Sequence, residues 1–354
     1  MTAPAVARGR RGLPIGRCFI DPVTDTLLIG GGLSLIVLAL LGLSPALRVA
    51  ADMDVLMFAI LAANCAHFAA STVRLYSMPD AASRWPFLTL VFPLVALAVL
   101  SLCVFQGEWL GPHFRALYLT WSPYHYAAQA YGLALMYSMR SGCMLGEIDR
   151  RLLRWTCMLP FAYAFLSGGG IGLDWLLPTE IARLAAVEAT RRVVIAVLRV
   201  GVLAAPLLLF ARLWRAQAAP MPLISLLILI SNGIWWTLLE PIDAFVWATI
   251  FHGIQYLGIV MIFHARDQMA LPANRHGAAY HAVWFYAVSL VLGYLLFRSL
   301  PFAYQWAGAG LVESTIMVVA AINIHHFIVD AFIWRFSKGG SNRRIVDGAV
   351  PAPS

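Results

Sequence analysis

Asn323, His325, His326 and Asp330 lie in INIHHFIVDAFIWRF, an otherwise apolar run near the end of the chain. Three other apolar runs hold the same kinds of group. Asn64 and His67 occur in NCAHF; His125, Gln129 and Tyr131 in YHYAAQAYG; His252, Gln255 and Tyr256 in FHGIQYLG. A titratable or strongly polar side chain at membrane depth is costly unless it is paired or faces a cavity, so each is a functional candidate. Asn64 and His67 stand three apart, as do His252 and Gln255, and His125 and Gln129 stand four apart; each pair therefore shares one helix face. In the last run Asn323 and His326 are three apart and His326 and Asp330 four. Asp330 is thereby placed to accept a hydrogen bond from the imidazole, as carboxylates do beside metal-binding histidines. On a helix His325 points about 100° away from His326, so the two would not serve one ion in the same manner.

Neutral imidazole is the commonest metal ligand and suits iron, copper and zinc, whereas calcium and magnesium prefer oxygen donors. We expect His67, His125, His252, His325 and His326 to be ligands of iron or copper, with haem as an alternative. Tyr131 and Tyr256 are the expected donors of protons or hydrogen bonds. Asp330, Asn64, Gln129, Gln255 and Asn323 would support the ligands from behind. An apolar shell around such a centre keeps water from competing with a lipid or other hydrophobic substrate, with electrons supplied by a separate donor. Two blander readings stand beside this one. A single intramembrane histidine can be a packing residue, and an Asn or Gln can be interhelical glue worth about 0.6 kcal/mol. Five histidines at similar depth multiply the insertion cost, which favours a shared site.

Histidines clustered on several spans resemble the histidine-box membrane oxygenases, a superfamily of desaturases and hydroxylases. That resemblance implies two iron ions and oxidation of a hydrophobic substrate. The chain has the adjacent pair His325 and His326, but neither the HxxxH nor the HxxHH spacing of that superfamily. The pair also resembles the adjacent copper-ligating histidines of haem–copper oxidases, without their accompanying patterns. Two further function classes remain open: a haem-binding electron-transfer or quinone-reacting protein, and a proton-coupled transporter in which histidines and Asp330 relay protons.

These residues need long apolar elements to position them, and the composition supplies such elements. Of 354 residues, 61% are hydrophobic and only 12% charged, with mean hydropathy +0.78; a soluble domain has about a quarter charged. The apolar blocks predict an all-α integral membrane bundle of about ten transmembrane helices: 26–47, 54–73, 86–106, 114–138, 155–177, 191–213, 221–239, 244–264, 280–300 and 307–335. Residues 1–25 and 336–354 would be cytoplasmic tails around one transmembrane domain, 26–335. Most of the 25 Lys and Arg residues fall on one side of such an alternation, which puts both termini inside a bacterial-type inner (plasma) membrane among its lipids. The net charge of +8 is scattered between apolar blocks and forms no stripe, which argues against nucleic acid. The five cysteines show no CxxC spacing, and the basic N-terminus lacks a signal-peptide core.

Overall fold

In the computed structural model, residues 14–43, 60–79, 81–216, 219–334 and 341–347 are described. Among them the chain is all-helical, without a strand. In a bilayer this is what backbone chemistry requires, because a helix satisfies its own N–H and C=O groups without water.

Ten helices organise the fold. α1 is Gly32–Leu43. α2 begins as a π-helical turn, Ile60–Cys65, and continues as Ala66–Ser77. α3 likewise opens on a π-turn, Phe87–Val91, before Phe92–Phe105. α4 is Gly107–Arg140, α5 Glu147–Ser167, α6 Ala185–Ala216 and α7 Leu223–Leu238. α8 is Pro241–Met269, α9 Ala278–Trp306 and α10 Leu311–Ile333. Five of these, α3, α6, α8, α9 and α10, are long and apolar enough to cross a membrane. A sixth candidate is α1 with the preceding segment Pro22–Ile29, which meet at a 61° bend.

The fifth block departs from the expected 155–177. α5 starts two turns earlier and stops at Ser167, because a run of glycines follows. Gly170 and Gly172 take φ of +74° and +60°, and a Cβ on Gly172 would stand 2.3 Å from the Phe165 carbonyl oxygen. Only glycine accepts that turn.

Burial separates centre from rim. In their most apolar windows, 56% of α8 and of α10 is buried, against 17% of α6 and of α9. Helices around the centre meet over glycines. A Cβ on Gly293 of α9 would lie 2.0 Å from the Cys65 carbonyl oxygen of α2, so those backbones touch. Gly253 of α8 makes a looser approach, with a virtual Cβ 3.3 Å from the Asn64 side-chain Oδ1.

The described parts of the two expected tails are packed onto the bundle. Arg140, at the end of α4, donates to the carbonyl oxygens of Cys18, Ile345 and Val346. Phe19, Ile345 and Val346 belong to the main buried core.

Candidate metal centre

Four helices each contribute one imidazole to a common point. His67 comes from the first turn after the π-turn of α2, His125 from the middle of α4, His252 from α8 and His326 from α10. All four are buried, and one donor atom from each lies within 4.8 Å of the other three. The rings form a closed cycle: His67 to His252 at 4.7 Å between centroids, His252 to His125 at 5.0 Å, His125 to His326 at 5.0 Å, and His326 back to His67 at 4.4 Å. Each adjacent pair is close to perpendicular, edge against face.

Hydrogen bonds divide the nitrogens into inner and outer. His326 Nδ1 is 3.0 Å from Ser71 Oγ, one helical turn after His67 on α2, while His326 Nε2 is 3.2 Å from His125 Nε2. If Ser71 accepts from Nδ1–H, Nε2 is left as the free donor atom. Among the described residues, both nitrogens of His67 and Nε2 of His252 have no hydrogen-bond partner. A buried polar atom without a partner is destabilising by about 1–3 kcal/mol, so one nitrogen of His67 and Nε2 of His252 ask for a common partner; the second His67 nitrogen points away from it.

Asp330 sits where the sequence placed it along the helix but faces differently. Its Oδ2 approaches His326 Nε2 at 3.4 Å and His125 Nε2 at 3.8 Å, the inner atoms, and not the outer nitrogen that Ser71 occupies. Its Oδ1 accepts from the Tyr256 hydroxyl at 2.7 Å. Tyr256 also packs on His67, with centroids 4.8 Å apart. The shell is aromatic: Phe327 stacks on His125 at 4.4 Å, Tyr126 on His252 at 4.3 Å and Phe68 on His67 at 4.5 Å.

Two expected site residues lie elsewhere. His325 turns away from the cycle and stacks on Phe92 of α3 at 4.9 Å, the outcome of its 100° offset. Tyr131 packs against the main core around Phe19 and Leu133, more than a turn beyond His125. The amides hold helices together more than they hold imidazoles. Gln129 Nε2 donates to the His252 carbonyl oxygen at 3.2 Å, Gln255 Nε2 to Ser231 Oγ at 3.4 Å, and Asn323 Nδ2 to Val319 within α10. Asn64 Oδ1, over Gly253, has no hydrogen-bond partner among the described residues. Among the described residues, Ser71 is a polar contact of the cycle outside the sequence-based set. Its position, four residues after His67, was a usable signal, but serine is too common in helices to stand out.

Among the described residues, fold and site together define an all-helical bundle with five membrane-length apolar helices and a buried four-histidine cluster. The chain matches no protein-family model, no curated protein and no solved structure.

Proposed function

We propose that His67, His125, His252 and His326 hold one iron or copper ion within the bilayer, and that the chain is a metal-dependent membrane oxidoreductase. Its reaction would be of the oxygenase, hydroxylase or desaturase type, on a lipid or other hydrophobic substrate, with electrons from a separate donor. The convergence of four buried imidazoles from four helices carries this reading. Tetrahedral nitrogen ligands about 2.1 Å from a metal stand about 3.4 Å from one another. The His125–His326 pair, at 3.2 Å, already has that spacing. Nitrogen donors argue against calcium and magnesium. The aromatic shell argues against a zinc hydrolase, which keeps a position open to water. Haem fits poorly, because the cavity that touches His252 is only about 20 Å³.

Within this centre, Ser71 would fix the tautomer of His326, and Asp330 would place a negative charge against the ion. The Tyr256 hydroxyl holds the other carboxylate oxygen. Burial of all four rings keeps bulk water away, which strengthens each charge interaction.

Ten crossings with both termini on the cytoplasmic side remain our topology. Among the described residues, four of the expected spans, α2, α4, α5 and α7, do not count by themselves as membrane-length apolar helices. For α2 and α4 the polarity is the site itself, turned inward. An even number of crossings is supported by Arg140, which ties residues near both termini to one end of the bundle.

A second reading has its own observation. Ser71, His326 and His125 form a chain of short contacts that could pass protons, as in a proton-coupled transporter. Elemental analysis of the detergent-purified protein separates the two. Stoichiometric iron or copper is expected, lost in His252→Ala and His326→Ala and retained in His325→Ala. Equal metal in all variants, or none in the wild type, would sink the metal centre.

A further inference from the structure

A cavity of about 890 Å³ opens at the end of the bundle where α5 and α7 stop and α8 begins. Pockets of roughly 300–1,000 Å³ accept small organic ligands. Its walls are largely apolar, aliphatic side chains such as Leu119 and Val246 alternating with the rings of Tyr163, Phe165, Trp236 and Phe245. One side is the glycine loop after α5, where exposed Gly169 and Gly170 line the cavity with backbone alone. A Cβ built on either would meet nothing within 4 Å. The rim carries two exposed carboxylates, Glu240 and Asp243, against one guanidinium, Arg115.

This cavity leads toward the histidines. Trp236 lines it and also lines the 20 Å³ cavity that borders His252, Tyr126 and Gln255. That smaller space has room for about one water. Phe245, in the large cavity, precedes His252 on α8 by two helical turns, about 10 Å along the axis. Tyr126 touches both, at 6.5 Å from Phe245 and 4.3 Å from His252. Trp236 therefore belongs to the walls of both spaces, and the contact between Tyr126 of the small one and Phe245 of the large one forms the rest of the layer between them.

We infer that this cavity is the binding chamber for an uncharged, largely apolar molecule with a hydroxyl or carbonyl head. The apolar walls hold its body, the bare peptide groups of the glycine loop meet its head, and the acidic rim disfavours an anion. The inference rests on the metal-centre reading for what the chamber serves, but its own test does not depend on metal.

Three photoreactive probes with the same diazirine-bearing long chain, ending in an alcohol, a carboxylate or an amine, are applied to the purified full chain in nanodiscs. Labelled peptides are mapped by mass spectrometry, and metal is measured on the same samples. The alcohol is expected to label residues 161–172 and 236–246. Gly169→Phe, which fills open space, is expected to abolish that labelling while metal content stays unchanged. Glu240→Gln with Asp243→Asn is expected to admit the carboxylate. Labelling spread evenly along the lipid-facing helix α6, insensitivity to Gly169→Phe, or preference of the unaltered protein for the carboxylate or amine would each overturn the chamber. Chamber labelling in protein without metal would retain the chamber and reject the metal centre; metal without labelling would do the reverse.

Discussion

His325 and His326 are neighbours in sequence and opposites in role. One faces the cycle of imidazoles; the other stacks on Phe92 at the rim. Adjacent helical residues cannot both point inward, so a pair that looks like a double ligand brings only one imidazole into the cycle. Ser71 shows the converse: an unremarkable residue whose hydroxyl is 3.0 Å from His326 Nδ1. Loss of such a supporting partner typically weakens metal binding about ten- to a hundredfold. Ser71→Ala is therefore expected to keep the fold but lower metal affinity by about that factor, read by competition with a graded series of chelators. An unchanged affinity would show that Ser71 does not orient the ring.

At the scale of elements, the site depends on how closely helices approach. α2 carries His67 and is pressed against α9 at Gly293, where a Cβ would fall 2.0 Å from a carbonyl oxygen. Backbone cannot yield as a flexible side chain can, and overpacking of this kind costs about 1–3 kcal/mol or more. Gly293→Ala is expected to lower the thermal midpoint in detergent and to release metal by displacing His67. Gly169→Ala, whose Cβ meets open space, should do neither. Equal behaviour of the two variants would mean that the α2–α9 contact does not position the site. The π-turn Ile60–Cys65 ends two residues before His67 and changes the rotation of α2 there. Such insertions in an α-helix often occur at functional positions.

Across the whole molecule, Arg140 joins segments far apart in the chain. It donates to Cys18 near one terminus and to Ile345 and Val346 near the other. Hydrogen bonds to a charged donor are worth about 1.5–3 kcal/mol when well shielded, less here because the contact is partly exposed. Arg140→Gln is expected to loosen both segments together, so trypsin should cut after Arg17 and Arg343 faster than in the wild type. In sealed vesicles both cuts should occur from the same face. Cleavage from opposite faces would rule out an even number of crossings.

Much of this architecture is legible in the linear chain. Hydropathy alone points to a membrane-type helical chain, and among the described residues helices lie within the expected blocks, five of them long and apolar enough to cross a membrane. The spacing of Asn64 with His67, His125 with Gln129, and His326 with Asp330 identifies the helices that carry the site, because side-chain direction repeats with the helical period. Spacing along one helix says nothing of how that helix is rotated against another. That rotation is set by contacts between distant residues, such as Gly253 beneath Asn64 and Gly293 against Cys65. Only those contacts decide that four imidazoles meet, that His325 and Tyr131 are left outside, and that Ser71 stands behind His326. The same holds for the cavity, which exists because α5 stops at a glycine run beside the first turn of α8. Order along a helix is a local property; convergence is a property of packing.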